Sequence, residues 1–400
     1  MFEEMIVYRL WTVQVMGVSN QNTLVLMQKY PDPQELYEIM HDPSCEHMSP
    51  AQKKRAKQYT LEDVQKILDY CEKNQIGLMT WYSEYYPEQL RNIYNPPVLF
   101  FYRGNPAFLK NENMLTIVGT RHPSEYSLYT AKRLCSELAA ESFTLISGFA
   151  LGLDTAAHEA ALEQGVPTIA VLGCGLDQNY PKGSRMMKEK IAETGLVLTE
   201  YFPGMPPRGS HFPVRNRILA GLGEAVLVTE ARQDSGCLIT ANYACEQGKP
   251  VFCIPPSDIY DQRYTGQIKL IREGAFPIFS KEDLQSVLLE RKNKKYLLSP
   301  SELEELPEVD FSEEESSSAV SAPFAAADEL TAEALTEKEK QILNALSKGE
   351  KNVNMLCCET EMQFSEIVRH LIELEMLGWI QGDSSDFYRL TPKAKEKYTA

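Results

Sequence analysis

Four segments of this 400-residue chain combine residue types that could hold a phosphate or move a proton. The first is Ile117-Val118-Gly119-Thr120-Arg121. A glycine straight after a buried strand lets an anion come close, a following helix N-terminus favours negative charge, and the forked guanidinium of Arg121 suits phosphate. A plain tight turn with Arg121 in solvent fits the same residues. The second runs from Ile146 through Ser147, Gly148, Gly152 and Asp154 to His158. Asp154 and His158 stand four apart, on one face of a helix. A cap and a satisfied polar pair explain that spacing more simply than acid–base chemistry does.

In the third segment Arg208, Arg215 and Arg217 surround Phe212, with Asn216 among them. Single-stranded nucleic acid calls for that mixture, because cations follow the phosphates and a ring stacks on an unpaired base. The alternative is a helix start with solvated arginines. The fourth runs from Thr229-Glu230-Ala231 to Ser235-Gly236-Cys237-Leu238-Ile239-Thr240. Ser235 and Thr240 could donate to a phosphate or merely cap a helix. Gly152, Asp154, Glu230, Ser235, Gly236 and Thr240 are therefore candidates for lining a pocket.

Several motifs are missing. The chain lacks GxxxxGK[ST], HExxH, GxSxG and any Cys/His cluster at metal spacing. Gly173-Cys174-Gly175 lacks the third glycine of a dinucleotide turn. These absences predict no cofactor, no metal and no catalytic residue.

The segments need a scaffold, and the apolar runs predict one. Leu115–Val118, Thr144–Ile146, Thr168–Leu172, Leu196–Thr199, Ala225–Thr229, Val251–Ile254 and Pro277–Phe279 are apolar on both faces and alternate with helix-period stretches. That pattern predicts a doubly wound α/β domain around a parallel sheet. Ahead of it, helices are expected near Leu24–Tyr30, Pro33–Met40 and Leu61–Asn74, with a capping box at Thr60 and Asp63. The run after Pro96-Pro97 reads as a strand. The basic run Lys53-Lys54-Arg55-Ala56-Lys57 reads as a solvated helix face.

The net charge of −16 argues against a nucleic-acid partner until its distribution is read. Eleven acids and no Lys or Arg lie between Pro300 and Leu335, which leaves −5 for the rest. That segment is expected to be a disordered linker that competes weakly with DNA for basic surface. Beyond it, three helices (near Lys338–Leu346, Asn352–Glu359 and Phe364–Leu377) and a hairpin around Gly382–Asp386 predict a small winged-helix-like module. Its last helix carries Glu366, Glu373 and Glu375 against Arg369 and His370. Such a helix suits a protein contact better than a major groove. Nine cysteines without a framework, no basic-then-apolar leader and no apolar run near the roughly 18 residues of a span predict a cytoplasmic chain free of the membrane.

Taken in order, these motifs, with Asn179-Tyr180-Pro181, Glu200-Tyr201 and the upstream Tyr86-Pro87 and Pro96-Pro97-Val98-Leu99, resemble the DNA-processing protein A (DprA, or Smf) family over roughly residues 80–280. The resemblance implies an extended Rossmann-like core at 81–298, a SAM-like helical domain at 1–80, the linker at 299–335 and the winged-helix-like domain at 336–400. It implies a homodimer that binds single-stranded DNA and loads the RecA recombinase onto incoming DNA in natural transformation. By the same resemblance Gly119, Thr120 and Arg121 carry the first DNA contact, with Phe212, Arg215 and Arg217 in the basic-plus-aromatic element. Gly209 stands where some members have a lysine, with Arg208 beside it, and Ile268 stands where many have Asn. The expected contact set is completed by Ser147, Gly148 and Asn216. The alternative expectation is a nucleotide-binding or nucleotide-hydrolysing enzyme that uses Asp154 and Glu230.

Overall fold

A computed structural model describes residues 2–42, 45–297 and 335–395, except 361, 363, 377, 383–386 and 393. The expected acidic linker lies, save Leu335, outside the described residues.

Five helices open the chain: α1 (Phe2–Met16), α2 (Gln21–Lys29), α3 (Pro33–His41), α4 (Pro50–Gln58) and α5 (Leu61–Lys73). Local chemistry starts four of them. The side chains of Asn20, Asp32, Ser49 and Thr60 each accept a backbone N–H in the first turn, and Thr60 closes its box with Asp63. The helix α1 was not expected. Its buried Leu10, Trp11, Val13, Val15 and Met16 wrap around the axis and leave no stripe to read. Arg55 also departs from expectation. It turns inward, and its Nη2 donates to the Met16 carbonyl that ends α1.

Two strands follow, β1 (Gly77–Thr80) and β2 (Leu99–Gly104), and then the parallel strands β3 (Met114–Val118), β4 (Thr144–Ser147), β5 (Thr168–Val171), β6 (Leu196–Thr199), β7 (Ala225–Val228), β8 (Val251–Cys253) and β9 (Phe276–Pro277). They form one sheet in the order β1-β2-β6-β5-β4-β3-β7-β8-β9. The β1–β2 and β2–β6 pairings are antiparallel, so β2 alone runs against the other strands, and β1 and β2 together extend the β6 edge of the otherwise parallel sheet. The α/β expectation holds, with this antiparallel margin added. The chain steps outward from β3 to β6, then returns to place β7 on the other side of β3. This reversal opens a crevice at the carboxyl ends of β3 and β7, where sheets of this kind bind ligands.

Alternate residues of β3 serve two layers. Leu115 and Ile117 pack with α6 (Glu125–Ala140), α7 (Leu153–Glu163) and α12 (Lys281–Leu297). Met114 and Val118 pack with α9 (His211–Leu222), α10 (Cys237–Glu246) and α11 (Thr265–Arg272). α8 (Arg185–Thr194) and the N-terminal helices cover the β2–β6 end. α9 is enclosed on every side, and each residue from Phe212 to Leu222 is buried.

The C-terminal module has α13 (Glu337–Ser347), α14 (Val353–Thr360), α15 (Phe364–Met376) and the hairpin β10 (Ile380–Gly382) and β11 (Tyr388–Leu390). The Asn352 side chain donates to the Asp234 carbonyl of the core. No helix among the described residues is long and apolar enough to cross a membrane.

Candidate nucleic-acid interface

The crevice holds about 260 Å³. Its walls come from the turn after β3 (Gly119, Thr120, Arg121, His122), from Ala150 and Asp154, from α9 (Phe212, Arg215, Asn216) and from the start of α10 (Asp234 to Cys237, and Thr240). α7 and α10 point their N-termini here, and α9 begins beside it. None of the three is capped by a side chain. Backbone carbonyls take the N–H groups of Leu153, His211, Phe212, Leu238 and Ile239, so it is mainly the dipoles of these helices that favour an anion here.

Close approach builds the walls. A Cβ on Gly119 would lie 2.3 Å from Thr229 Oγ1 and 2.5 Å from Leu153 Cδ1, so only glycine lets this turn settle onto α7. Gly173 does the same for the aromatic wall, since a Cβ there would lie 2.9 Å from the Phe212 ring. Phe212 is 6% exposed. The Arg121 guanidinium sits over it, 5.5 Å from the centroid, and Tyr180 packs at 5.4 Å. The ring is thus a perch for Arg121, and a base reaches its face only if Arg121 moves. The half-exposed guanidinium is itself a stacking surface.

The profile of the family described as DNA recombination-mediator protein A matches residues 77–289, more than half of the chain. The chain belongs to this family. It is 45% identical over 199 residues to DNA processing protein DprA of Streptococcus pneumoniae, covering 50% of this chain and 70% of that one. It is 32% identical over 343 residues to protein Smf of Escherichia coli, covering 83% and 85%. The X-ray structure of DprA from S. pneumoniae superposes with a TM-score of 0.62 at 35% identity, covering 70% of this chain and 97% of that one.

In this member of the DNA recombination-mediator protein A family, several expected site residues support the crevice from behind. Ser147 is fully buried and its hydroxyl donates to the Ile117 carbonyl. Gly148 and Ala150 donate their N–H groups to Asp154 Oδ2, at 3.1 and 3.2 Å. Gly152 opens α7 beneath Thr120. Arg215 reaches the crevice but spends its Nη1 on the carbonyls of Gly148 and Val171 and its Nε on Asn216. Burial pushes the Asp154 carboxyl up, with Arg215 opposing.

Three expected contacts fall outside the crevice. Arg217 is sealed in an ion pair with Glu200 and donates its Nε to the Asn95 carbonyl. Its fork is not offered to an outside anion. Glu230 turns away and accepts from the backbone N–H and hydroxyl of Ser124, at 3.0 and 2.5 Å, at the start of α6. With Glu230 and Asp154 both occupied, neither is placed as the free base that the hydrolytic alternative requires. Arg208 is exposed and lines a separate cavity.

Cys237 and His211 are both moved away from neutral pH. Burial pushes the Cys237 thiol up to about 12 and pulls His211 down to about 4. His122, Arg232 and Asp234 line the crevice without having been expected; they sit in exposed loops with no motif to mark them. Glu339, His370 and Glu373 cluster in the module, but Arg369 Nη2 lies 3.1 Å from His370 Nε2. A guanidinium only donates, so the ring proton sits on Nδ1, which then has no lone pair for a metal.

Proposed function

We propose that this chain is a single-stranded-DNA-binding recombination mediator that works by capture and has no catalytic step. The observation that carries this reading is the Arg121 guanidinium, poised over Phe212 at a crevice between uncapped helix N-termini. One phosphate and one unpaired base meet their complements there. Family membership and the DNA-processing names of the relatives support the same reading. Loading of a RecA-type recombinase, a homodimeric assembly and a place in natural transformation belong to this proposal. Two crevices on one strand would raise avidity without new contacts.

The test is a gel-shift titration with single- and double-stranded DNA across a salt series, on the full chain and on Arg121→Ala. The single strand should bind in preference, more weakly as salt rises, and Arg121→Ala should lose affinity. Equal affinity of the two chains refutes the crevice as the DNA site. A recombinase nucleation assay on protein-coated single strands tests the loading step.

A further inference from the structure

A second cavity of about 580 Å³ lies between the N-terminal helices and the core. Arg55 of α4 and Arg208 of the core both line it, with Tyr59, Tyr201 and His211. Among the described residues neither arginine is in an ion pair. Arg55 is half-buried and spends Nη2 on the Met16 carbonyl, while its buried Nε has no partner. The aromatic side is ordered, with Tyr201 and His211 stacked at 4.1 Å and 18°. His211 stays neutral, so the arginines are the cavity's cations.

The first turn of α9 divides this cavity from the crevice. Phe212 lines the crevice, while its neighbours Ser210 and His211 line the second cavity. A strand held at Arg121 and leaving over that turn enters the cavity that Arg208 and Arg55 line. Among the described residues the single acid on the cavity wall is Glu375, which comes from the C-terminal module. The module's hairpin stands at the same doorway: a Cβ on Gly382 would lie 3.3 Å from the Ser210 nitrogen.

We propose that this cavity is a second segment of the DNA track, in which Arg208 and Arg55 take the phosphates of the strand as it leaves the crevice. The proposal rests on the crevice reading above. It gives the N-terminal helices a direct part in binding and makes Glu375 an opponent of the incoming phosphates.

Length dependence tests it. Affinities are measured for oligonucleotides of about 6 and about 20 nucleotides, the short one spanning a single site. Arg55→Gln and Met205→Glu should each weaken the long strand by about tenfold, and Glu375→Gln should strengthen it about threefold, all leaving the short strand unchanged. Met205 lines the cavity from the core side and decides the matter if Arg55→Gln unfolds with its α1 contact gone. Equal long-strand affinity in Met205→Glu, Glu375→Gln and the parent overturns the channel and leaves the crevice reading intact. A parent chain that binds neither length overturns both.

Discussion

Arg217 meets Glu200 with both Nη atoms, each 2.7 Å from its own carboxylate oxygen, and the side chains are 3% and 4% exposed. Burial alone would lower the guanidinium, but Glu200 holds it above its ordinary value. Ser19 adds a third bond to Glu200 at 3.1 Å, so one carboxylate joins α9, the end of β6 and the N-terminal helices. Removing one partner leaves a buried, unpaired charge. Arg217→Ala should cost about 3–5 kcal/mol, while Arg217→Met with Glu200→Leu should cost far less. Urea unfolding of the single and double variants reads the difference.

Arg121 should behave oppositely. It is half-exposed and perched on a ring, so Arg121→Ala should leave the urea midpoint nearly unchanged. Its loss should appear in DNA binding, as about a tenfold drop and a salt slope shallower by about 0.7 for each lost phosphate. Arg215→Ala should combine both effects, with about 2–4 kcal/mol of stability lost because the Gly148 carbonyl is left bare. An unchanged midpoint for Arg215→Ala would contradict that division.

Gly119→Ala tests the packing of the turn. Its Cβ would meet Thr229 and Leu153, so the turn must shift and carry Arg121 off Phe212. We expect a loss of about 1–3 kcal/mol together with weaker DNA binding. Parent-like affinity would mean that the perch is not needed.

Acid should weaken the fold through two histidines. The Thr168 hydroxyl donates to the Leu145 carbonyl, so it accepts from His158 Nδ1 and fixes that tautomer. Burial, reinforced by Arg215, pulls His158 down to about 3, and burial pulls His211 to about 4. Between these values and about 6.5 the unfolded chain binds more protons than the folded one. Stability is therefore full above about 6.5 and falls with pH, by about 1.4 kcal/mol per unit for each histidine. Urea midpoints at pH 7, 6 and 5 should show this, and His158→Gln should flatten the slope.

The acidic stretch should compete with DNA. Deleting 300–334 removes eleven carboxylates and no base. Single-strand affinity should then rise a few-fold at low salt and converge with the parent at high salt, where exposed charges are screened. Equal low-salt affinities would exclude the competition.

The parallel strands were legible because a strand covered on both faces must be apolar on both. The turn at Gly119–Arg121 was legible because a strand end, a glycine and an arginine were adjacent in sequence. The roles within α9 were not. Arg215 and Arg217 look like solvated cations, and nothing local reveals that α9 is enclosed or that the partner of Arg217 lies 17 positions away in the chain. Glu230 misled for the same reason, since its partner Ser124 is 106 positions distant. Phe212 was recognised as part of the site, but its task as a support depends on Gly173, which no motif ties to it.

The uncapped starts of α7, α9 and α10 have a practical side. Helix dipoles and an arginine that would attract a nucleic-acid phosphate do not distinguish it from inorganic phosphate or sulfate. A phosphate-buffered sample therefore carries its own competitor at millimolar strength, and a chloride medium of equal ionic strength carries a much weaker one. The choice of buffer anion becomes an experimental variable for this protein, separable from screening by holding ionic strength fixed.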